Sequence, residues 1–165
     1  MSEAPLLLRK DLTRPFAAAQ WPQGITVTTL TPALLQPVHS LLRLGYANGY
    51  GSVGSLEQWQ QCLLHDAEYD PNLCVICLLD GEVVGVAQAW TSAYLKDLVV
   101  HPHRQGQGLG RALLNHVFAV FRARGEANVD LKVMRHNHRA RHLYLALGMT
   151  EVSAGSALVL PWSAR

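Results

Sequence analysis

Apolar and polar positions divide the chain into short strands and amphipathic helices. Residues 25–30 alternate apolar side chains with threonines, which predicts a strand. Leu34, Leu35, Val38, Leu41 and Leu42 then recur at helical spacing behind Thr31 and Pro32, a candidate N-cap and first-turn proline. Pro37 inside that stripe either starts the helix or kinks it. Ser55 and Gln58 have the spacing of a capping box, opening a short helix through Trp59, Cys62 and Leu63. Residues 73–79 and 82–90 read as two strands joined by Asp80-Gly81, a strong hairpin signal. With a third strand over Tyr94–Val100 they predict an antiparallel meander. Leu109, Leu113, Val117, Val120 and Phe121 mark a long helix that Gly125 ends. A strand over residues 129–134 follows. Asn137 then caps a helix with Ala140, Leu143, Tyr144 and Leu147 on one face, and Gly148 stops it. Residues 149–152 and 157–160 are closing strands. The order predicts an α/β or α+β domain of three layers with a mixed sheet.

Two stretches lack such periodicity. Residues 1–23 contain Pro5, Pro15 and Pro22 and read as an N-terminal extension that packs loosely or serves a partner, leaving residues 24–165 as one domain. Residues 45–54, with four glycines, read as a mobile loop.

Composition narrows the function classes. At 165 residues, 49% of them apolar and 16% charged, the chain has a core of its own and is not extensively disordered. A formal charge of +2 is too small to argue for nucleic acid, and a pyrophosphate ligand accounts for the arginines and histidines of residues 101–142 as well as a polynucleotide would. Cys62, Cys74 and Cys77 are odd in number and set among apolar residues, as free buried thiols in a reducing compartment are. Cys74 and Cys77 have C-x-x-C spacing, but in a strand these positions point to opposite faces, which argues against a metal or redox site. No apolar run approaches a membrane span and no signal-peptide pattern opens the chain, so a cytoplasmic protein is expected.

The candidate chemistry centres on Gln105-Gly-Gln-Gly-Leu-Gly110, a glycine-rich turn that opens directly into a helix. Backbone N–H groups at such a turn and the partial positive charge of a helix start make a phosphate site. A P-loop is excluded because no lysine follows Gly110. A dinucleotide fold requires different glycine spacing at the start of a βαβ unit, and Asp130, at about the right distance for its acid, lies inside a strand. His136, His138 and His142 invite a metal reading, but no cysteine or acid stands in register with them, and no metal is expected.

The turn resembles the Q/R-x-x-G-x-G/A loop of the general N-acetyltransferase (GNAT) superfamily. Leu98-Val-Val-His-Pro102 before it is similar to that family's fourth strand, and Arg111-Ala-Leu-Leu114 after it to its third helix. Asn137-x-x-Ala140-x-x-x-Tyr144-x-x-x-Gly148-Met149 resembles a second motif of the family. The resemblance runs over residues 25–160. It implies a sheet, mostly antiparallel, that splays between the strands near Val100 and Val129, with acetyl-CoA as co-substrate and no metal. It further implies that backbone groups of Gln105, Gly106, Gln107, Gly108, Leu109, Gly110 and Arg111 hold the pyrophosphate. Leu98, Val99 and Val100 would pair with the pantetheine arm, and one N–H there would face the developing oxyanion. Asn137 is both a helix cap and a cofactor contact.

Tyr144 is the implied acid that helps the departing thiolate; its alternative is a core aromatic. Asp97 is the candidate base, acting directly or through water, or else it pairs with a cation. Glu82, His101 and Glu151 are weaker choices. Lys96 replaces the first acid found in diamine-acetylating members, which argues against polyamines. Strand alternation puts Asp97 and Val99 on one face and Lys96, Leu98 and Val100 on the other. Trp59, Tyr46 and Tyr50 either line the acceptor site or pack the core. The resemblance implies acetyl transfer to a primary amine of a small molecule or peptide by direct attack in a ternary complex. The alternative is a non-catalytic acyl-CoA-binding module. Neither nucleic acid nor membrane is an expected partner, and family habit with the apolar residues 157–162 leaves a homodimer open.

Overall fold

A computed structural model describes residues 4–47, 49 and 51–152. Strands β1 (Leu6–Asp11) and β2 (Ile25–Thr29) precede helices α1 (Leu35–Tyr46) and α2 (Leu56–Leu64). The meander β3 (Cys74–Leu79), β4 (Glu82–Trp90) and β5 (Tyr94–Val100) follows, and then α3 (Leu109–Ala123), β6 (Asn128–Val133), α4 (His138–Ala146) and β7 (Thr150–Glu151). The strands form one sheet in the order β2-β3-β4-β5-β6-β1-β7. Every neighbouring pair is antiparallel except β5 and β6.

Local signals act where the spacing places them. A 3-10 turn over Pro32–Leu34 leads into α1, so Pro37 falls in the first α-turn, where its missing N–H costs no intrahelical bond. Ser55 and Gln58 make both bonds of the capping box. Asp80 and Gly81 both have left-handed φ, 51° and 79°, the backbone twist that a two-residue hairpin requires.

The sheet separates two apolar layers. Leu109, Leu113, Leu114, Val117, Phe118 and Phe121 of α3 pack on one face, joined by Leu143, Tyr144 and Leu147 around α4. Val38, Leu41 and Leu42 of α1 and Leu63 of α2 pack on the other. Cys77 belongs to the first layer and Cys74 to the second, so the C-x-x-C pair is split across the sheet. Cys62 is not buried as its apolar surroundings predict; α2 presents it to solvent.

The N-terminal segment departs from expectation. Instead of packing loosely, Leu6–Asp11 runs the full length of β6 in antiparallel register and takes β7 on its other edge. Leu6, Leu7 and Leu8 are all buried, because the strand is covered on both faces. A strand of that kind reads as an apolar run rather than an alternation, and three residues are too few to reveal it. Arg9 makes a bidentate pair with Asp130 at 2.7 and 2.8 Å, and Lys10 donates to the Leu147 carbonyl at the end of α4. Beyond β1, Phe16 packs edge-on against Phe118 and Trp21 tilts against His116, so the segment lies across α3. The expected strand over residues 157–160 lies outside the described residues. Among the described residues, no helix is long and apolar enough to cross a membrane.

Leu8 is 2% exposed. Leu8→Ala is expected to lower the unfolding free energy by about 2–5 kcal/mol in urea denaturation; a loosely packed extension would lose no more than about 0.5 kcal/mol.

Candidate active site

The parallel ladder between β5 and β6 holds for two residue pairs, Tyr94 with Asp130 and Leu95 with Leu131, and then the strands diverge. The divergence begins at a bulge: Asp97 faces Gln88 and Leu95 faces Ala89, so Lys96 is one residue too many for β4. Lys96 is exposed there. Beyond the bulge, the His101 N–H donates to the Val84 carbonyl at 2.8 Å, on the register that sets Gly85 against Val100. In an antiparallel ladder the peptide groups of alternate residues point the same way. Those of Asp97 and Val99 therefore turn toward β4, and those of Leu98 and Val100 turn into the gap left by β6. Val99 thus contributes its side chain, packed on α1, rather than its peptide groups. The Gln105 side-chain amide reaches the Val100 carbonyl from the gap side at 3.4 Å.

The glycine turn closes one end of this gap. Gly106 and Gly108 have φ of 79° and 89°, which side chains disfavour, and residues 105–108 are exposed. Gly108 is the N-cap of α3 with no side-chain cap bond, and no acid stands in the first turn, so the N–H groups of Leu109, Gly110 and Arg111 are open to an anion. Gly110 has a different reason to be glycine. A Cβ there would lie 3.3 Å from Leu143 Cδ2, where α3 and α4 cross. Asn137 accepts the Ala140 N–H at 3.3 Å and so caps α4, as its position predicts.

Acid–base groups gather at the other end. Asp97 is 7% exposed, and the Tyr46 hydroxyl, from the last residue of α1, donates to it. Burial and then the Asp97 charge push the Tyr144 phenol well above its ordinary range. The same causes push Tyr94 up to about 12. Tyr144 approaches from the α3 and α4 side and Asp97 lies on the α1 side, so they sense each other through the splay. All these phenols are protonated at neutral pH and can only donate to the carboxylate. Across the ladder from Asp97, Gln88 is 3% exposed. Its amide N–H donates to the Ala89 carbonyl at 3.1 Å, while Oε1 has no hydrogen-bond partner among the described residues. Neither Gln88 nor the Tyr46–Asp97 bond was anticipated. A lone glutamine among the apolar residues 83–90 was the available signal for the first; the second joins residues 51 apart and has no local signature.

The sequence model of the acetyltransferase (GNAT) family matches residues 36–149. The chain belongs to the GNAT acetyltransferase family. A mycothiol acetyltransferase of Beutenbergia cavernae is 36% identical over 99 residues, 56% of this chain and 33% of that protein. A ribosomal-protein bS18 alanine N-acetyltransferase of Escherichia coli is 43% identical over 61 residues, 37% of this chain and 41% of that one. The chain thus spans less than half the length of these relatives. Among solved structures, a GCN5-related N-acetyltransferase from Sphaerobacter thermophilus superposes with a TM-score of 0.78 at 23% identity, covering 92% of this chain and 49% of the other. The Escherichia coli ribosomal-protein alanine N-acetyltransferase gives 0.65 at 25% identity, covering 78% and 79%.

Within this GNAT fold the weaker base candidates stand elsewhere. Glu82 is at the hairpin end of β4, six residues from Gln88 (88 − 82). The His101 ring accepts the His103 N–H within its turn. Glu151 is separated from β5 by β6 and β1. Asp130 is engaged by Arg9 and is not placed for a ribose. Trp59 packs against the His39 ring, and Tyr50 lies outside the described residues. Among the described residues, no three histidine, cysteine or acidic side chains converge on a metal position.

The approach of α1 to β5 is set by Gly45, since a Cβ there would fall 2.4 Å from Val99 Cγ1. Valine has little rotamer freedom to yield. Gly45→Ala is expected to destabilise the fold by about 1–3 kcal/mol in chemical denaturation; an unchanged midpoint would show that α1 is not held this closely.

Proposed function

We propose that this GNAT chain transfers an acetyl group from acetyl-CoA to a primary amine of a small molecule or peptide, by direct attack in a ternary complex. The observation that carries this reading is the open strand edge of Leu98 and Val100, with an uncapped glycine turn at one end and Asp97 with Tyr144 at the other. A strand edge whose peptide groups face no neighbouring strand suits an arm that is itself built of amides. The turn suits a pyrophosphate. The protein's residues therefore fit acetyl-CoA, which when bound supplies the thioester carbonyl that an amine attacks.

The roles follow from position. N–H groups of residues 105–111 hold the diphosphate, and peptide groups of Leu98 and Val100 orient the arm, one N–H being available to a developing negative oxygen. Asn137 fixes the start of α4 and hence the direction of Tyr144. An amine near neutral pH is mostly ammonium and must lose a proton before attack, since its ordinary pKa is about 10. Asp97 is the proton acceptor in this reading, directly or through water. Tyr144 donates to the departing sulfur. Its raised pKa does not disqualify it, because burial raises thiols as well: Cys74 and Cys77 are both pushed up to about 12. A thiolate leaving into equally dry surroundings is matched to a buried phenol.

An amine acceptor is supported by the relative that is named an N-acetyltransferase of a ribosomal-protein alanine, and another relative is named a streptothricin acetyltransferase. A cytoplasmic setting, in which free thiols persist, completes the reading.

Purified protein with acetyl-CoA is expected to release free thiol when offered a panel of alkylamines, amino acids, aminoglycosides and peptides. Binding of acetyl-CoA without thiol release from any of them would favour a non-catalytic acyl-CoA-binding module. Tyr144→Phe is expected to lower kcat by about a hundredfold with acetyl-CoA affinity unchanged in calorimetry; an unchanged kcat removes Tyr144 from the chemistry.

A further inference from the structure

Asp97 is a buried carboxylate at the end of a sheet, and something has to set which of its oxygens faces the reacting groups. The groups around it come from several elements: Tyr46 from α1, Gln88 from β4, Tyr94 at the start of β5 and Tyr144 from α4, with Cys74 of β3 in the same layer. None of these carries a charge at neutral pH. Among the described residues, Tyr46 is the one that donates a hydrogen bond to the carboxylate.

Tyr46 is itself held on two sides, and the segment seated on it is anchored in turn. On its N-terminal side Gly45 rests on Val99 with no room for a Cβ, which ties the end of α1 to the strand that bears Asp97. Across the ring lies the backbone of Gly51, where a Cβ would stand 3.0 and 3.1 Å from Tyr46 Cδ1 and Cε1. Farther along, the Gly54 carbonyl lies 2.7 Å from Nε2 of His39, a buried α1 residue whose ring meets Trp59. The segment after α1 is therefore anchored to α1 at Gly54 and seated on the Tyr46 ring at Gly51. Movement of Gly51 has to be taken up by that ring, and the ring ends in the hydroxyl that grips Asp97.

We propose that Tyr46 is a positioning residue for Asp97, fixing one carboxylate oxygen so that the other meets the acceptor nitrogen, and linking that carboxylate to the loop backbone at Gly51. This rests on the acetyl-transfer reading above. A phenol suits the task because it has two side-chain torsions to restrain and donates a strong hydrogen bond to an anion. Phenylalanine would fill the same space without the bond, and the carboxylate would then be free to turn.

The test is a double-mutant cycle on the full chain, following thiol release from acetyl-CoA with n-butylamine and alanine amide as acceptors. Tyr46→Phe is expected to lower kcat about tenfold, with the dissociation constant of acetyl-CoA unchanged. In an Asp97→Asn background the same change is expected to alter kcat less than twofold, because the group it positions is no longer a base. Gly51→Ala, which presses on the ring and leaves the hydroxyl in place, is expected to lower kcat in the wild type and not in Asp97→Asn. It also serves if Tyr46→Phe folds poorly by circular dichroism. Losses that multiply in the double variants, or a Tyr46→Phe enzyme as fast as wild type, overturn the proposal. If the wild type binds acetyl-CoA and releases no thiol with any amine, acetyl transfer itself fails and the positioning role falls with it. That outcome is distinct from a wild type that turns over and a cycle that does not close.

Discussion

A buried peptide group must be paired, and a sheet that opens in its middle leaves a row of such groups without a strand beside them. The β5–β6 ladder stops after Leu95, and the organisation of the site follows from that stop. The bulge at Lys96 shifts the pairing of β5 by one residue, and the parity of the ladder then aims the peptide groups of Leu98 and Val100 into the opening. The same strand leads through His101 and Pro102 to the glycine turn, so the open edge and the open helix start are adjacent by chain continuity.

Keeping the opening local requires that β6 be held from its other side. That is the work of β1, which pairs with β6 along its whole length. Asp130 sits at the branch point, in register with both Tyr94 of β5 and Arg9 of β1. Its carboxylate is nearly inaccessible, and the forked guanidinium of Arg9 satisfies both oxygens. Removing Arg9 would strand the Asp130 charge where the sheet divides. Lys10, the next residue, ties the end of α4 to the same strand, so β1 also stabilises the helix that carries Tyr144.

Electrostatically the site is one carboxylate among phenols. Burial disfavours every phenolate near Asp97, and the carboxylate charge disfavours them further. Among the described residues, the phenols around Asp97 are consequently donors to it and not competing bases. Gln88 adds an acceptor oxygen that has no partner among the described residues, an unusual arrangement for a residue so deeply buried.

Much of this was legible in the chain itself. Periodicity placed the helices and the meander, because helix and strand expose one face to the core at fixed spacing. The capping pair Ser55 and Gln58, the turn Asp80-Gly81 and the Asn137 cap act within a few residues and were readable for that reason. The glycine turn with the later Asn137-to-Gly148 pattern was enough to imply the family and the splayed sheet. The opposite faces of Cys74 and Cys77 followed from strand geometry alone. What stayed hidden depends on contacts between distant segments. Leu6 to Leu8 became a strand only because β6 and β7 flank it and both its faces are covered. Lys96 became an extra residue of its strand only because β4 has one residue fewer to oppose it. A Cβ at Gly110 would meet Leu143 of α4, a contact between separate helices that no local spacing shows. Tyr46 meets Asp97 only once α1 is laid on β5. Local propensity and period are properties of a stretch of chain and can be read from it, whereas partners brought together across the sheet are decided by packing.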